Sequence, residues 1–197
     1  MLGVIAGVVG AIGYAPYIRD ILKGTTKPDR ASWLIWLLEY AALFCAQLSV
    51  GTAGSLWLIG LQLLAVIAIN ILSYRYGTGG FTKENSLVLL SVCAVLTAWY
   101  FIRSADLTII LLIAVEASGV ILTMRKVYKQ PGSETLIMWA LIALAGMIGV
   151  IAIGKNASLI LYAYPVALIV MGLGVMGASW LGSKRTNNPS YGATITE

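Results

Sequence analysis

The sequence KPDRASWLIW at residues 27–36 recurs as QPGSETLIMW at residues 130–139, at a constant offset of 103 residues. The matched positions include Pro28/Pro131, Ser32/Thr135, Trp36/Trp139, Gly51/Gly154 and Leu58/Leu161. Upstream of this stretch an offset of 106 restores the pairing and sets Gly13 on Gly119. A repeat of about 100 residues is too long for a solenoid unit and indicates a duplicated domain half.

The composition indicates a membrane protein. Of the 197 residues, 59% are hydrophobic and only 11% are charged, which is more apolar surface than one soluble core of this size buries. A bilayer core of roughly 30 Å needs about 20 apolar residues per helix. Breaks in the hydropathy predict seven spans, at residues 2–22, 32–50, 54–74, 85–102, 107–127, 134–153 and 157–181.

The fourth span has no counterpart in the repeat. The predicted fold is therefore an all-α membrane protein of two parallel-oriented triple-helix bundles, joined by an inverting fourth helix in a 3+1+3 plan. The predicted boundaries are 1–79 for the first repeat, 80–105 for the linker helix, 106–182 for the second repeat and 183–197 for a polar cytoplasmic tail.

Two acids lie well inside predicted spans: Glu39, one turn beyond Trp36, and Glu116, in the middle of the fifth span. An ionised residue at the centre of a membrane helix costs roughly 2.5 to 3.5 kcal/mol, so such residues usually face the interior or water. Both are candidates for solute or proton binding, Glu116 more so because it is deeper. The alternative is that each stays protonated and bridges two helices.

The repeat relates Trp36 to Trp139, so these rings are expected to approach each other around a shared central space. Ordinary aromatic packing is the alternative.

Other polar and helix-breaking residues suggest further roles. Pro16 and Pro165 lie inside predicted spans, where a proline bends a helix, so both are candidate hinges. Ser32 and Thr135 are expected to be helix N-caps. Gln62 and Asn70 lie in the third span, where amides commonly bridge helices. The glycines of the first span, including Gly7 and Gly10, are expected to form a packing stripe.

The residue types that the sequence lacks exclude several classes of function. The chain has no His and no Cys cluster. This removes most metal sites and most acid-base or nucleophilic machinery, so neither a cofactor, a metal nor an enzymatic activity is expected. The net charge of +5 is spread over loops at one membrane face, so nucleic acid is not expected as a partner.

These features resemble the PQ-loop and SWEET (MtN3-like) transporter superfamily. A first span with Pro16, a basic loop and a Pro/Ser/Trp start to the second helix carry the resemblance, although the Pro-Gln dipeptide itself is absent. GYAPYIRDILKGTTKPDRASWLIW and TMRKVYKQPGSETLIMW are most similar to uncharacterised bacterial seven-helix membrane proteins related to that superfamily. The resemblance implies a solute site between the two bundles, with an Asn of the third helix among its ligands. Asn70 is the residue that matches this role.

The sequence thus predicts an integral membrane transporter that moves a small polar solute by alternating access, with optional coupling to protons or cations. The predicted partners are the solute and the lipid bilayer, and a homo-oligomer is left open. The predicted substrate-binding residues are Trp36, Glu39, Asn70, Glu116 and Trp139. The rival interpretation is a seven-helix sensor or assembly protein that moves nothing, and an intramembrane enzyme ranks third.

We expect the N-terminus outside and the C-terminus in the cytoplasm of a cytoplasmic membrane. Eleven of the 13 Lys and Arg residues lie on one side of the predicted topology, and positive residues are retained on the cytoplasmic side. Reporter fusions at both ends measure this orientation directly. A C-terminal phosphatase fusion that is active in the periplasm would reverse the topology.

Overall fold

The computed structural model describes residues 2–50, 53–80, 82–101, 105–153 and 159–186, and its regular elements are all α-helices. The eight helical segments are α1 (Leu2–Ile12), α2 (Tyr14–Leu22), α3 (Arg30–Val50), α4 (Ala53–Tyr76), α5 (Lys83–Phe101), α6 (Ala105–Lys129), α7 (Leu136–Ile153) and α8 (Leu159–Thr186). The predicted all-α class is therefore confirmed. Helices are the expected solution for an apolar chain because each one satisfies its own backbone hydrogen bonds.

The first predicted span is divided at Gly13, between α1 and α2. Pro16 accounts for the interruption because its ring nitrogen has no hydrogen to donate to the carbonyl of Ile12, four residues earlier. The N–H of Gly13 instead donates to the carbonyl of Gly10 at 3.2 Å, which is a tighter turn than an α-helix makes. Pro165, in contrast, lies inside the continuous helix α8.

Two helices differ from the predicted spans at their ends. Helix α7 begins at Leu136, two residues after the predicted start, and the side chains of the two preceding residues, Glu134 and Thr135, bond to Lys126 and Asp20. Helix α8 continues to Thr186, past the predicted end at residue 181 and into the segment assigned to the polar tail. Its last polar side chains bond back to helix carbonyls, for example Ser183 Oγ to Ser179 O at 3.0 Å, so they extend the helix. Residues 187–197 of the predicted tail lie outside the described residues.

Three helical stretches of the described chain are long and apolar enough to cross a membrane: Leu2–Leu22, Leu136–Ile153 and Leu159–Thr186. Two shorter apolar stretches are Gly60–Tyr76 and Asn85–Ala98. Large apolar side chains are exposed on the outer surface. Lipid is the environment that covers such surfaces, so the structure supports a membrane protein.

The helix neighbours define how the two halves meet. Helix α4 packs mainly on α3 and also touches α1 and α2, whereas α8 packs on both α6 and α7. Between the halves, α1 packs on α7 and α3 packs on α6, and α5 covers α6 and α3. The connecting segments 23–29, 77–80 and 130–135 lie together and form what we call the loop end, joined by the Lys27 N–H to Ser133 O bond of 2.9 Å and the Thr78 N–H to Pro28 O bond of 2.9 Å.

The contact between α7 and α8 requires a glycine at residue 172. A Cβ atom placed there would lie 2.6 Å from the carbonyl oxygen of Trp139 and 3.0 Å from the Cβ of Ala143. Small residues at such crossings let two backbones approach closely, which is a main source of helix association in lipid.

Gly172→Ala is therefore expected to destabilise the protein by about 1–3 kcal/mol, because the added methyl group forces α7 away from α8. Gly177→Ala in the same helix is the matched control, since a Cβ there meets nothing within 4 Å. The control should be neutral or stabilising by up to about 1 kcal/mol through helix propensity. Thermal unfolding in detergent measures both. Equal melting temperatures for the two variants would contradict the close contact.

Candidate functional site

A cavity of about 490 Å³ lies between the two halves and is lined by residues of α1, α2, α3, α4, α6, α7 and α8. It contains both acids that the sequence analysis singled out, Glu39 and Glu116. Most of the wall is apolar. The polar side chains in the wall are Tyr14, Glu39, Tyr40, Gln62, Glu116 and Tyr164.

The two carboxyl groups differ in their hydrogen bonding. Glu39 is 1% exposed, and its Oε2 atom is buried with no hydrogen-bond partner in the described part of the chain. Glu116 accepts a long hydrogen bond of 3.4 Å from the Tyr164 hydroxyl. Both side chains line the same cavity. None of the described residues that line the cavity is a lysine or an arginine.

The rings of Trp36 and Trp139 form what we call the aromatic layer, which borders the cavity on the side of the loop end. The Trp36 and Trp139 ring centroids are 5.9 Å apart, which confirms the predicted approach of these two side chains. They line a smaller cavity of about 20 Å³ that shares Tyr14 and Glu116 with the large one. Trp36 fits because residue 119 is glycine: a Cβ there would lie 2.7 Å from Trp36 Nε1.

Below the aromatic layer, a buried ion pair joins Lys126 of α6 to Glu134, just before α7. The side chains are only 7% and 1% exposed. Glu134 also accepts hydrogen bonds from the Tyr17 hydroxyl at 2.9 Å and from Trp139 Nε1 at 3.1 Å. Lys126 donates to the carbonyl of Lys27 at 2.5 Å. This network ties α2, α6, α7 and the first connecting loop together.

Hydroxyl groups complete the closure of the loop end. Thr26 and Thr135 are 2.6 Å apart through their Oγ1 atoms, and the Thr135 hydroxyl donates to Asp20 Oδ2 at 3.1 Å. The Thr123 hydroxyl donates to Ser32 Oγ at 3.1 Å. Each bond joins the first half of the chain to the second, so the loop end is sealed by side chains of both halves.

The prediction that Ser32 is a helix N-cap is wrong. Helix α3 begins at Arg30, and Asp29 is the cap: its Oδ1 accepts hydrogen bonds from the Ser32 N–H at 2.9 Å and from Ser32 Oγ at 3.0 Å. A carboxylate at that position also favours the positive end of the helix dipole. The Ser32 hydroxyl is left to accept from Thr123. Thr135 does precede α7, but its hydroxyl bonds to Thr26 and Asp20.

The remaining predicted site residues lie at different depths. Asn70 is buried in α4, one turn nearer the loop end than Val66, and lines neither cavity. Its Nδ2 has no hydrogen-bond partner among the described residues. Pro165 lines the large cavity, whereas Pro16 lies on the loop side of Tyr14 and outside the lining. Four of the predicted substrate-binding residues thus line one or both cavities, namely Trp36, Glu39, Glu116 and Trp139, and the predicted hinge Pro165 lines the large one.

Several residues of the site were not anticipated. Tyr14 and Tyr40 line the cavity with their hydroxyl groups 3.4 Å apart, and no sequence feature marked them except their spacing near Gly10 and Glu39. Gly7 and Gly10 were expected to serve only packing, yet they line the cavity wall. Lys126 was expected to be an ordinary basic residue of a cytoplasmic loop. The sequence offers one signal for the pairing of Lys126 with Glu134. The acid follows the lysine by eight residues, on the same side of the predicted topology.

Comparison of the chain with protein-family models, curated proteins and solved structures found no match.

Lys126→Ala is expected to destabilise the protein by about 3–5 kcal/mol, because it leaves the buried carboxylate of Glu134 without its counter-charge. Lys129→Ala is the matched control, since Lys129 lies one turn further along the same helix and is exposed. The control should change stability by less than about 0.5 kcal/mol. Unfolding in mixed detergent micelles measures both variants. If Lys126→Ala were as stable as Lys129→Ala, the ion pair would not hold the loop end.

Proposed function

We propose that this protein is a membrane transporter that moves a small polar solute by alternating access between two three-helix units. In this proposal α1–α2, α3 and α4 form the first unit, α6, α7 and α8 form the second, and α5 is the inverting linker. The chain then crosses the cytoplasmic membrane seven times, with the loop end at the cytoplasmic face. The distribution of basic residues supports this orientation.

The observation that carries the proposal is the symmetry of the cavity wall. Five pairs of repeat-related positions have both members in the lining: Ala6/Leu112 and Gly10/Glu116 at the offset of 106, and Glu39/Ile142, Leu43/Gly146 and Gln62/Pro165 at the offset of 103. Transporters built from repeats hold their solute at the interface between the repeats. A cavity that both units build at equivalent positions supports that type of site.

The contacts between the halves support the same plan. The repeat relates α1–α2 to α6 and α3 to α7, so the α1–α7 contact and the α3–α6 contact are equivalent. Two units related in this way can rock about the cavity, because a movement at one contact is matched by the same movement at the other.

The two ends of the cavity support alternating access. Going from the cavity to the loop end, a solute would meet the aromatic layer and then the Lys126–Glu134 network. Along α3, at 1.5 Å per residue, Trp36 lies about 5 Å from Glu39 and about 10 Å from Leu43, so the aromatic layer borders the cavity on the side of the loop end. Noncovalent side-chain bonds seal the loop end, and these can break when the units move apart.

We assign the hinges to the interruption before Pro16 and to Pro165, whose ring packs near Gly149 beside the cavity.

The rival function, a sensor or assembly protein, predicts a pocket that water reaches from one membrane face only. Alternating access predicts that the same wall residue reacts from both faces. This difference can be measured without knowledge of the solute, which makes it the sharpest test of the proposal.

Leu112→Cys, in a chain whose free cysteines Cys45 and Cys93 are replaced by alanine, is expected to react with the impermeant anionic reagent 2-sulfonatoethyl methanethiosulfonate from either face. Spheroplasts expose one face and inverted vesicles expose the other. Ile110→Cys on the same helix is the control: its side chain is exposed on the outer, apolar surface, where lipid should keep the reagent away. Reaction of Leu112→Cys from a single face would favour the sensor and overturn alternating access.

A further inference from the structure

We infer that the solute is a small organic cation, with an amine or ammonium group and an apolar body, which displaces a proton from the carboxyl pair Glu39 and Glu116. This inference rests on the proposed transport function and identifies the chemical class of its substrate. It is drawn from the contrast between the acids in the cavity and the buried glutamate at the loop end, Glu134.

Glu134 has its counter-charge within the protein. Lys126 pairs with it, and Tyr17 and Trp139 donate hydrogen bonds to its two oxygens. A buried carboxylate is tolerated when it is paired and hydrogen-bonded in this way. Glu134 is thus buried together with its counter-charge and its hydrogen-bond donors. An acid that is buried without such partners needs another explanation.

Glu39 and Glu116 have no basic partner in the cavity wall that the structure describes. The ionisable groups that face them are Tyr14 from α2, Tyr40 from α3 and Tyr164 from α8. Helix α4 adds the neutral amide of Gln62, and α1 and α7 add only apolar residues or glycine. A positive charge that balances these acids must therefore come from outside the protein, either as a proton or as a cationic ligand.

The unpartnered Oε2 of Glu39 marks where the cation binds. This atom is buried, whereas one oxygen of Glu116 already accepts from Tyr164. Two neighbouring carboxyl groups in a low dielectric do not both ionise readily, so the empty site retains a proton. When an ammonium group binds, the carboxyl O–H bond breaks, the proton leaves to water, and the carboxylate pairs with the ammonium. The charge in the cavity is unchanged by this exchange.

The shape and chemistry of the wall identify an organic cation. About 490 Å³ is within the range of small-molecule pockets and far exceeds the space that a bare metal ion needs. Mg²⁺ or Ca²⁺ would require six or more oxygen ligands, and the described residues contain no cluster of three acidic, His or Cys side chains. A sugar would leave many hydroxyl groups against apolar walls. The rings of Tyr14, Tyr40 and Tyr164 instead suit a cation with an apolar surface.

Tetramethylammonium and tetraethylammonium are suitable probes because their charge does not depend on pH. Added to the purified full-length protein in weakly buffered detergent solution, each probe is expected to release protons, which a pH indicator dye records. In proteoliposomes, an outward proton gradient is expected to drive uptake of radiolabelled tetraethylammonium.

Glu39→Gln and Glu116→Gln keep the shape of the side chain but cannot exchange a proton. Both are expected to lose the proton release, and Glu116→Gln is expected to lose the pH dependence of uptake. Asp106→Asn is the matched control, because Asp106 is an exposed acid at the start of α6 and outside the cavity. It should release protons as the parent protein does. Melting temperatures establish that each variant is folded.

The inference is overturned if neither probe releases protons from the parent protein, or if both glutamine variants release them as the parent does. Reaction of Leu112→Cys from both membrane faces together with that result would retain the transporter and exclude the cationic solute. Reaction from one face only would overturn the proposed transport and this inference together. Proton release that is abolished in folded Glu39→Gln and Glu116→Gln, and retained in Asp106→Asn, supports the inference.

Discussion

The rings of Trp36 and Trp139 meet in the interior of the protein, with their centroids 5.9 Å apart. Trp36 belongs to α3 and Trp139 to α7, so the contact joins the first half of the chain to the second. The glycine at residue 119 makes room for the Trp36 ring. The contact divides the interior into a cavity with two acids on one side and a sealed loop end on the other. Because each ring belongs to a different half, any rearrangement of the halves must first change this contact.

The buried acids on the two sides of the aromatic layer differ in their hydrogen-bond and charge partners. At the loop end, Lys126 and Glu134 neutralise each other, and Lys126 also donates to the carbonyl of Lys27. In the cavity, the oxygen atom of Glu39 is left without a partner. A buried polar atom without a partner costs free energy comparable to a lost hydrogen bond. Thr78 Oγ1 and Ser133 Oγ at the loop end are also buried without a partner among the described residues, so what distinguishes Glu39 is that its unpartnered atom is a carboxyl oxygen beside a cavity.

The sequence predicts the helices well and the polar contacts poorly, for a physical reason. Hydropathy determines where an apolar helix lies, so each predicted span overlaps a helical segment of the described residues, and three of these helical stretches are long and apolar enough to cross a membrane. The predicted approach of Trp36 and Trp139 is also confirmed, since their ring centroids are 5.9 Å apart. In contrast, the pairing of Lys126 with Glu134 and the capping by Asp29 depend on loop conformations that hydropathy does not encode. The resemblance to a family suggested Asn70 as a solute ligand; Asn70 is buried in α4 and lines neither described cavity, so its role in a solute site stays a prediction.

The central claim is that the two halves move about the cavity, and spin-label distances measure this most directly. One label pair at Lys23 and Gln130 reports on the loop end, and a second pair at Val4 and Ile151, whose side chains are 67% and 68% exposed, reports on the opposite end of the α1–α7 contact. The account predicts that in lipid, tetraethylammonium or a change of pH shifts the two distances in opposite directions. The account would be contradicted if each label pair gave one distance and neither distance changed under any of these conditions.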